Sequence, residues 1–252
     1  MILQHKNTAI WLGFFLIFWA AGSGCTSTER KFIPPQKLLK KAKNEIRHNN
    51  FEDAQNSLTQ LMEDSPDSKE RIISQLLLAE VHYRQEQWQE AKFNLNRFVE
   101  LYPAHKLAPR AQYLKAMAEF RQIDISLRDQ SFTHAAKSEF EKLVQIYPKS
   151  PYSKKGQKRI QECIDNLAQN ELEVGRFYFR TNAYQSAILR FKTILEEFPE
   201  QRFLDEVIFL LGESYYEEES YQEAKTYYKK LLKEHPRSEF RQDARARLRQ
   251  LR

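Results

Sequence analysis

The sequence predicts an all-α protein, a superhelix of five stacked helix pairs that ends in a C-terminal capping helix. The main observation is a spacing that occurs five times: an alanine is followed twelve residues later by a proline, with bulky residues four and seven positions after the alanine. After residue 24 only three glycines remain, and no segment alternates with the period of a strand. The alanines are Ala54, Ala91, Ala136, Ala187 and Ala224.

Each part of this spacing has a physical role in a helix pair. The small alanine lets two antiparallel helices approach closely, and the large residues that follow fill the space between them, because positions four apart share a helix face. The proline ends the unit, since it cannot continue a helix. A helical bundle without repeats is the alternative, and five copies of one spacing favour the repeat.

The repeat resembles the tetratricopeptide repeat, most clearly in its last two copies. The matching residues are Gly175, Tyr178, Tyr184 and Ala187 in the fourth copy, and Gly212, Tyr215, Tyr221 and Ala224 in the fifth. The resemblance implies a superhelix in which the first helix of each pair lines a concave surface. Such proteins usually hold other proteins and perform no chemistry.

The N-terminus predicts a lipoprotein signal over residues 1–24. Residues 10–21 form an apolar run that is too short to anchor the chain across a bilayer and that follows Lys6, as in a signal peptide. The small residues before Cys25 resemble a bacterial lipobox, although Gly22 stands where leucine is usual. We expect Cys25 to carry the lipid, and the alternative is an ordinary secreted protein that is cleaved nearby.

The rest of the chain divides into a tether and two groups of repeats. Residues 25–35 read as a lipidated, extended tether. Repeats one to three occupy residues 36–150, and repeats four and five with the capping helix occupy residues 151–252. The repeat alanines lie 37, 45, 51 and 37 residues apart, so the middle repeats carry extra residues. These predict a loop near 123–131 and a long helix near 152–180 that joins the two groups.

The sequence contains no pattern typical of an enzyme, a metal site or a nucleic-acid-binding protein. Six histidines are scattered without metal-ligand spacing, and no nucleophile elbow or phosphate-binding loop is present. The net charge is +6, but acidic residues are interspersed with the basic ones and the aromatic residues occupy repeat core positions, which argues against nucleic acid. We expect no cofactor, a solvated arginine-rich tail, and core positions for His82 and Cys163.

Three central segments resemble the BamD family. They are 124–130 (Asp-Ile-Ser-Leu-Arg-Asp-Gln), 140–152 and 167–178. BamD proteins are lipoproteins of the β-barrel assembly machinery, so the resemblance implies a lipid-anchored protein on the periplasmic face of the outer membrane. Thr26 after the lipobox cysteine favours the same membrane by resemblance to enterobacterial lipoproteins. The implied partners are BamA, other lipoproteins of the machinery and unfolded outer-membrane β-barrel proteins.

Residues beside the core positions of repeats one and two should face the concave surface. They are Lys43, Arg47, Glu80, Tyr83 and Arg84. Together they would form an amphipathic groove with both charge signs, which suits an extended peptide. The resemblance implies that this peptide is the C-terminal signal strand of unfolded outer-membrane proteins, which would make these repeats the client-binding part of the chain.

The family resemblance also predicts where the partner protein binds. In BamD-type proteins the last POTRA domain of BamA lies against the C-terminal repeats, and an arginine at the position of Arg190 pairs with one of its acidic residues. A local pair of Arg190 with Glu196 or Glu197 is the alternative. For the whole protein, the alternative is a periplasmic tetratricopeptide scaffold lipoprotein for the envelope, for division or for pilus-secretin assembly.

Overall fold

The computed structural model describes residues 32–123 and 129–252, and Pro34–Arg252 form one compact unit. Cys25, the signal peptide, most of the tether and residues 124–128 lie outside the described residues. The described part contains α-helices and no β-strand. The helices are α1 (Pro35–Arg47), α2 (Phe51–Asp64), α3 (Lys69–Arg84), α4 (Trp88–Leu101), α5 (Ala108–Phe120), α6 (Ser131–Ile146), α7 (Pro151–Arg180), α8 (Tyr184–Glu197), α9 (Leu204–Glu217), α10 (Tyr221–Glu234) and α11 (Arg241–Gln250).

The helices pack as five consecutive pairs and a final helix, which confirms the predicted architecture. The pairs are α1 with α2, α3 with α4, α5 with α6, α7 with α8, and α9 with α10, and α11 covers α10. Each first helix also packs against the next first helix from α1 to α9, so these helices form one continuous wall.

The core follows the predicted register. In every repeat the alanine and the bulky residues four and seven positions later are fully buried. A second small residue lies twelve positions before the alanine in four repeats, at Ala42, Ala79, Gly175 and Gly212. A Cβ atom at Gly175 would lie 2.5 Å from Cε1 of Phe191, and one at Gly212 would lie 2.7 Å from Cε1 of Tyr228. Glycine is therefore needed where the facing side chain is aromatic.

Four of the five pairs turn through a residue with a positive φ angle, at the same repeat position each time. The residues are Asn49, Glu86, Asn182 and Glu219, with φ of 61°, 59°, 60° and 57°. Asparagine adopts this left-handed conformation readily, whereas glutamate pays a steric penalty there. In repeat three α5 ends at Phe120 and α6 begins at Ser131, and most of the loop predicted between them, residues 124–128, lies outside the described residues.

Helix α7 joins repeats one to three to repeats four and five, as predicted. It runs for 30 residues, and the side chain of Ser150 caps it by accepting a hydrogen bond from the backbone N–H of Tyr152. Gly156 lets α7 approach α6, because a Cβ atom there would lie 3.1 Å from Cδ2 of Leu143. The separate functions assigned to the two groups of repeats stay predictions.

Candidate protein-binding surfaces

One position on the first helices carries a charge that links consecutive repeats. It directly follows the second small residue of the repeat. In repeat two it is Glu80, whose Oε2 accepts a hydrogen bond of 2.8 Å from Arg110 Nη2 on α5. In repeat four it is Arg176, which donates to both carboxylate oxygens of Glu206 on α9, at 2.7 and 2.6 Å. These pairs bridge residues 30 positions apart and fix how each repeat lies against the next.

The same position in repeat five is Glu213, which holds the capping helix. Arg247 of α11 donates to both oxygens of Glu213, the shortest of these bonds being 2.7 Å, and its guanidinium lies 4.2 Å from the ring centroid of Tyr216. The hydroxyl of Tyr228 donates to the same carboxylate. Hydrogen bonding to Glu213 raises the pKa of Arg247, and burial raises that of Tyr228. The expectation of a solvated tail is therefore wrong for Arg247.

In repeat one this position is Lys43, which is exposed and makes no hydrogen bond or ion pair within residues 32–123 and 129–252. Arg47, one turn further along α1, donates only to Asn44 of its own helix, at 3.1 Å. Both line a groove of about 500 Å³ beside Leu39 and Glu70. At the N-terminal repeat, therefore, the position that elsewhere links two repeats holds a lysine that faces an open groove, together with Lys40 and Arg47.

The other three predicted groove residues do not line this groove, and two of them, Glu80 and Tyr83, are more enclosed. Glu80 is only 5% exposed, and its Oε1 finds no hydrogen-bond partner among the described atoms. Burial raises the pKa of its carboxyl group, while Arg110 and Arg84 act in the opposite direction. The half-buried ring of Tyr83 packs edge-on against Trp88 at 5.3 Å. Arg84 is exposed and donates to the carbonyl of Ile46, at 3.4 Å, at the end of α1.

The predicted partner-binding residue Arg190 lies on α8 with its side chain 40% exposed. Its Nη1 lies 3.1 Å from both carboxylate oxygens of Glu171 on α7. The acceptor is therefore Glu171, 19 positions earlier in the chain, rather than Glu196 or Glu197. This pair ties the second helix of repeat four to the first and leaves part of the guanidinium accessible.

Of the two residues predicted to lie in the core, Cys163 does and His82 does not. Cys163 is fully buried in the cluster around Phe140 and Leu143, as expected, and burial raises the pKa of its thiol to about 12. His82 is only half-buried, and its Nδ1 lies 2.6 Å from Oε1 of Gln87. It belongs to a polar contact at the turn of repeat two, so its placement in the core was wrong.

The described residues contain no cluster of histidine, cysteine and carboxylate side chains that could hold a metal ion. Of the helices between residues 32 and 252 that the structure describes, none combines the length and apolar character of a membrane span. Their charged and aromatic side chains are instead arranged between repeats and along open grooves. These features define a tetratricopeptide-type repeat protein with two candidate protein-binding surfaces.

Comparison with known proteins identifies the family to which the chain belongs. The YfiO family, described as outer membrane lipoprotein, matches residues 32–218, and the tetratricopeptide repeat family matches residues 206–238. The chain belongs to the YfiO family of outer membrane lipoproteins.

Several similar proteins carry the name outer membrane protein assembly factor BamD. The protein from Caulobacter vibrioides is 30% identical over 201 residues, covering 77% of this chain and 66% of that protein. Those from Xylella fastidiosa and Vibrio cholerae are each 25% identical, covering 81% and 79% of this chain and 74% and 85% of theirs. A solved TPR2AB domain of yeast Sti1 aligns with a TM-score of 0.44 and 13% identity over 80% of this chain and 78% of its own, which carries no functional argument.

Proposed function

We propose that this protein is a non-enzymatic assembly factor of the outer membrane. It is held at the periplasmic face by lipid on Cys25 and works with BamA and the other lipoproteins of the β-barrel assembly machinery. Repeats one to three bind unfolded outer-membrane proteins, and repeats four and five bind the last POTRA domain of BamA. The observation that carries the proposal is the YfiO family match over residues 32–218, which covers repeats one to four and the first helix of repeat five.

The groove at the N-terminal repeats has the chemistry that an extended client needs. Lys40, Lys43 and Arg47 offer exposed cations for a C-terminal carboxylate. Exposed peptide backbone and one terminal charge are features that every unfolded β-barrel client shares.

At the C-terminal repeats, the pair of Arg190 with Glu171 is suited to exchange. A guanidinium has five N–H donors, and Nη1 alone contacts Glu171. A carboxylate of the POTRA domain can therefore bind the remaining donors or replace Glu171. The contact requires no change in the packing of α8, because Phe191 and Ala187 hold the helix on its buried face.

The most direct test of the client assignment is site-specific photo-crosslinking in living cells. A crosslinking amino acid at position 43 should capture outer-membrane proteins before they fold. Position 229 on α10 is the matched control, because Lys229 is also exposed and lies in a second helix of the other group of repeats. Capture of folded envelope or division proteins alone at position 43 would support the scaffold function and reject the client assignment.

A further inference from the structure

A second groove lies at the helix ends where repeats three and four meet. It measures about 430 Å³ and is lined by the turn between α6 and α7 and by the start of α5. Ile146 at the end of α6 is 55% exposed beside it. Lys106 and Lys149 are exposed at its rim, and neither makes a hydrogen bond or ion pair with any described residue.

The repeat architecture supplies an internal comparison for this groove. A groove of about 370 Å³ is formed by the same repeat positions between repeat five and the capping helix. The corresponding residues follow from their distances to the repeat alanines. Lys106 corresponds to Arg202, Pro109 to Asp205, Ile146 to Glu234 and Lys149 to Arg237.

The two grooves differ in charge at two of these four positions. Both keep two cations, but the distal groove has two carboxylates where the central groove has Pro109 and Ile146. The distal groove is therefore balanced in charge by its own residues, whereas the central groove is basic with an apolar floor. The fold does not require an apolar residue at the position of Ile146, since repeats one, four and five have Asp64, Glu197 and Glu234 there.

We propose that the central groove binds an extended segment of another protein in which an apolar side chain is flanked by carboxylates. The apolar side chain would cover Ile146, and the carboxylates would meet Lys106 and Lys149. Prolines 109, 148 and 151 supply no backbone N–H, so recognition depends on apolar burial and charge. This inference is independent of the proposed function.

The test uses the purified full chain and a fluorescein-labelled peptide, Gly-Glu-Asp-Leu-Phe-Asp-Glu-Gly, in anisotropy titrations. We expect saturable binding with a dissociation constant below about 1 mM, and we expect the affinity to fall as the salt concentration rises. The double variant Lys106→Glu, Lys149→Glu should bind about tenfold more weakly or not at all. The double variant Arg202→Glu, Arg237→Glu, which makes the same charge change in the distal groove, should bind like the parent protein.

Three results would overturn the proposal. One is the absence of saturable binding, or equal loss in both double variants. Another is equal binding of a peptide with serines in place of leucine and phenylalanine. The third is binding of phosphatidylglycerol vesicles, or self-association of the chain, that depends on the two lysines while the peptide does not bind. Melting curves of both variants check that each remains folded.

Discussion

Glu80 is a buried carboxylate on α3, and its environment makes stability depend on pH. Burial raises its pKa in the folded protein above the ordinary glutamate value, so the folded state holds the proton more tightly than the unfolded state. The stability contributed by this group is therefore present below the ordinary value and is lost as pH rises through the raised value.

The variant Glu80→Gln removes this titration while keeping the size of the side chain. We expect the free energy of unfolding of the parent protein to fall relative to that of Glu80→Gln as pH rises above about 4.5, the ordinary value of a glutamate carboxyl group. Urea denaturation at several pH values measures this difference. Parallel pH profiles for the two proteins would mean that burial of Glu80 does not shift its proton affinity.

The proposed contact of Arg190 with BamA can be tested with one variant of Arg190 and one control variant of Glu171. If Arg190 binds a carboxylate of BamA in a desolvated contact, Arg190→Glu should weaken binding by about 2–5 kcal/mol, and by less than about 1 kcal/mol if the contact stays exposed. Glu171→Gln frees Arg190 and should leave binding intact or strengthen it. Binding of the POTRA region, measured by calorimetry, distinguishes the cases.

Equal losses in both variants would indicate that the pair only holds α8 against α7. Unchanged binding of Arg190→Glu would reject the contact. The sequence alone suggested Glu196 or Glu197 as local partners, but those residues lie six and seven positions along the same helix. The observed acceptor is on the preceding helix, and pairing between helices depends on rotations that sequence spacing does not define.

At the scale of the element, the close approach of α7 and α8 depends on Gly175. Alanine is normally better than glycine inside a helix by about 1 kcal/mol. At Gly175 the added Cβ would lie 2.5 Å and 2.9 Å from ring atoms of Phe191. We therefore expect Gly175→Ala to destabilise the protein by about 1–3 kcal/mol, because overpacking outweighs helix propensity.

Gly156→Ala is the matched control on the same helix. Its Cβ would meet Cδ2 of Leu143 at 3.1 Å, the end of a flexible side chain, so we expect a change within about 1 kcal/mol of zero. Thermal or urea unfolding of the two variants gives the comparison. A destabilisation of Gly156→Ala as large as that of Gly175→Ala would contradict the role of the aromatic ring.

The positions of the helices were predictable because each repeat carries the same residue types at the same distances from its helix ends. Alanine, bulky residues and proline at fixed distances predicted the helix pairs, and the wider spacing around repeats three and four predicted the loop and the long α7. Arg247 was not predictable in this way. It lies among several arginines of similar spacing, and only the packing of α11 brings one of them onto Glu213, 34 positions earlier.

At the scale of the whole molecule, fixed charges link neighbouring repeats and unpaired charges remain at the grooves. The pairs of Glu80 and Arg176 tie consecutive repeats together, and the pair of Glu213 ties repeat five to the capping helix. Lys43 occupies the same repeat position without a described partner, and so faces an open groove. The sequence predicted both Lys43 and Glu80 as groove residues. It could not show that Glu80 pairs with Arg110 whereas Lys43 has no described partner, because that difference depends on how the first helices pack against each other.

The central claim is that the two groups of repeats bind different proteins. Hydrogen exchange of the full chain, measured alone, with an unfolded outer-membrane β-barrel protein and with the POTRA region of BamA, tests it most directly. We predict that the unfolded protein slows exchange in α1 and α3, and that the POTRA region slows exchange around Arg190 in α8. Protection of the same helices by both, or of none by either, would contradict the claim.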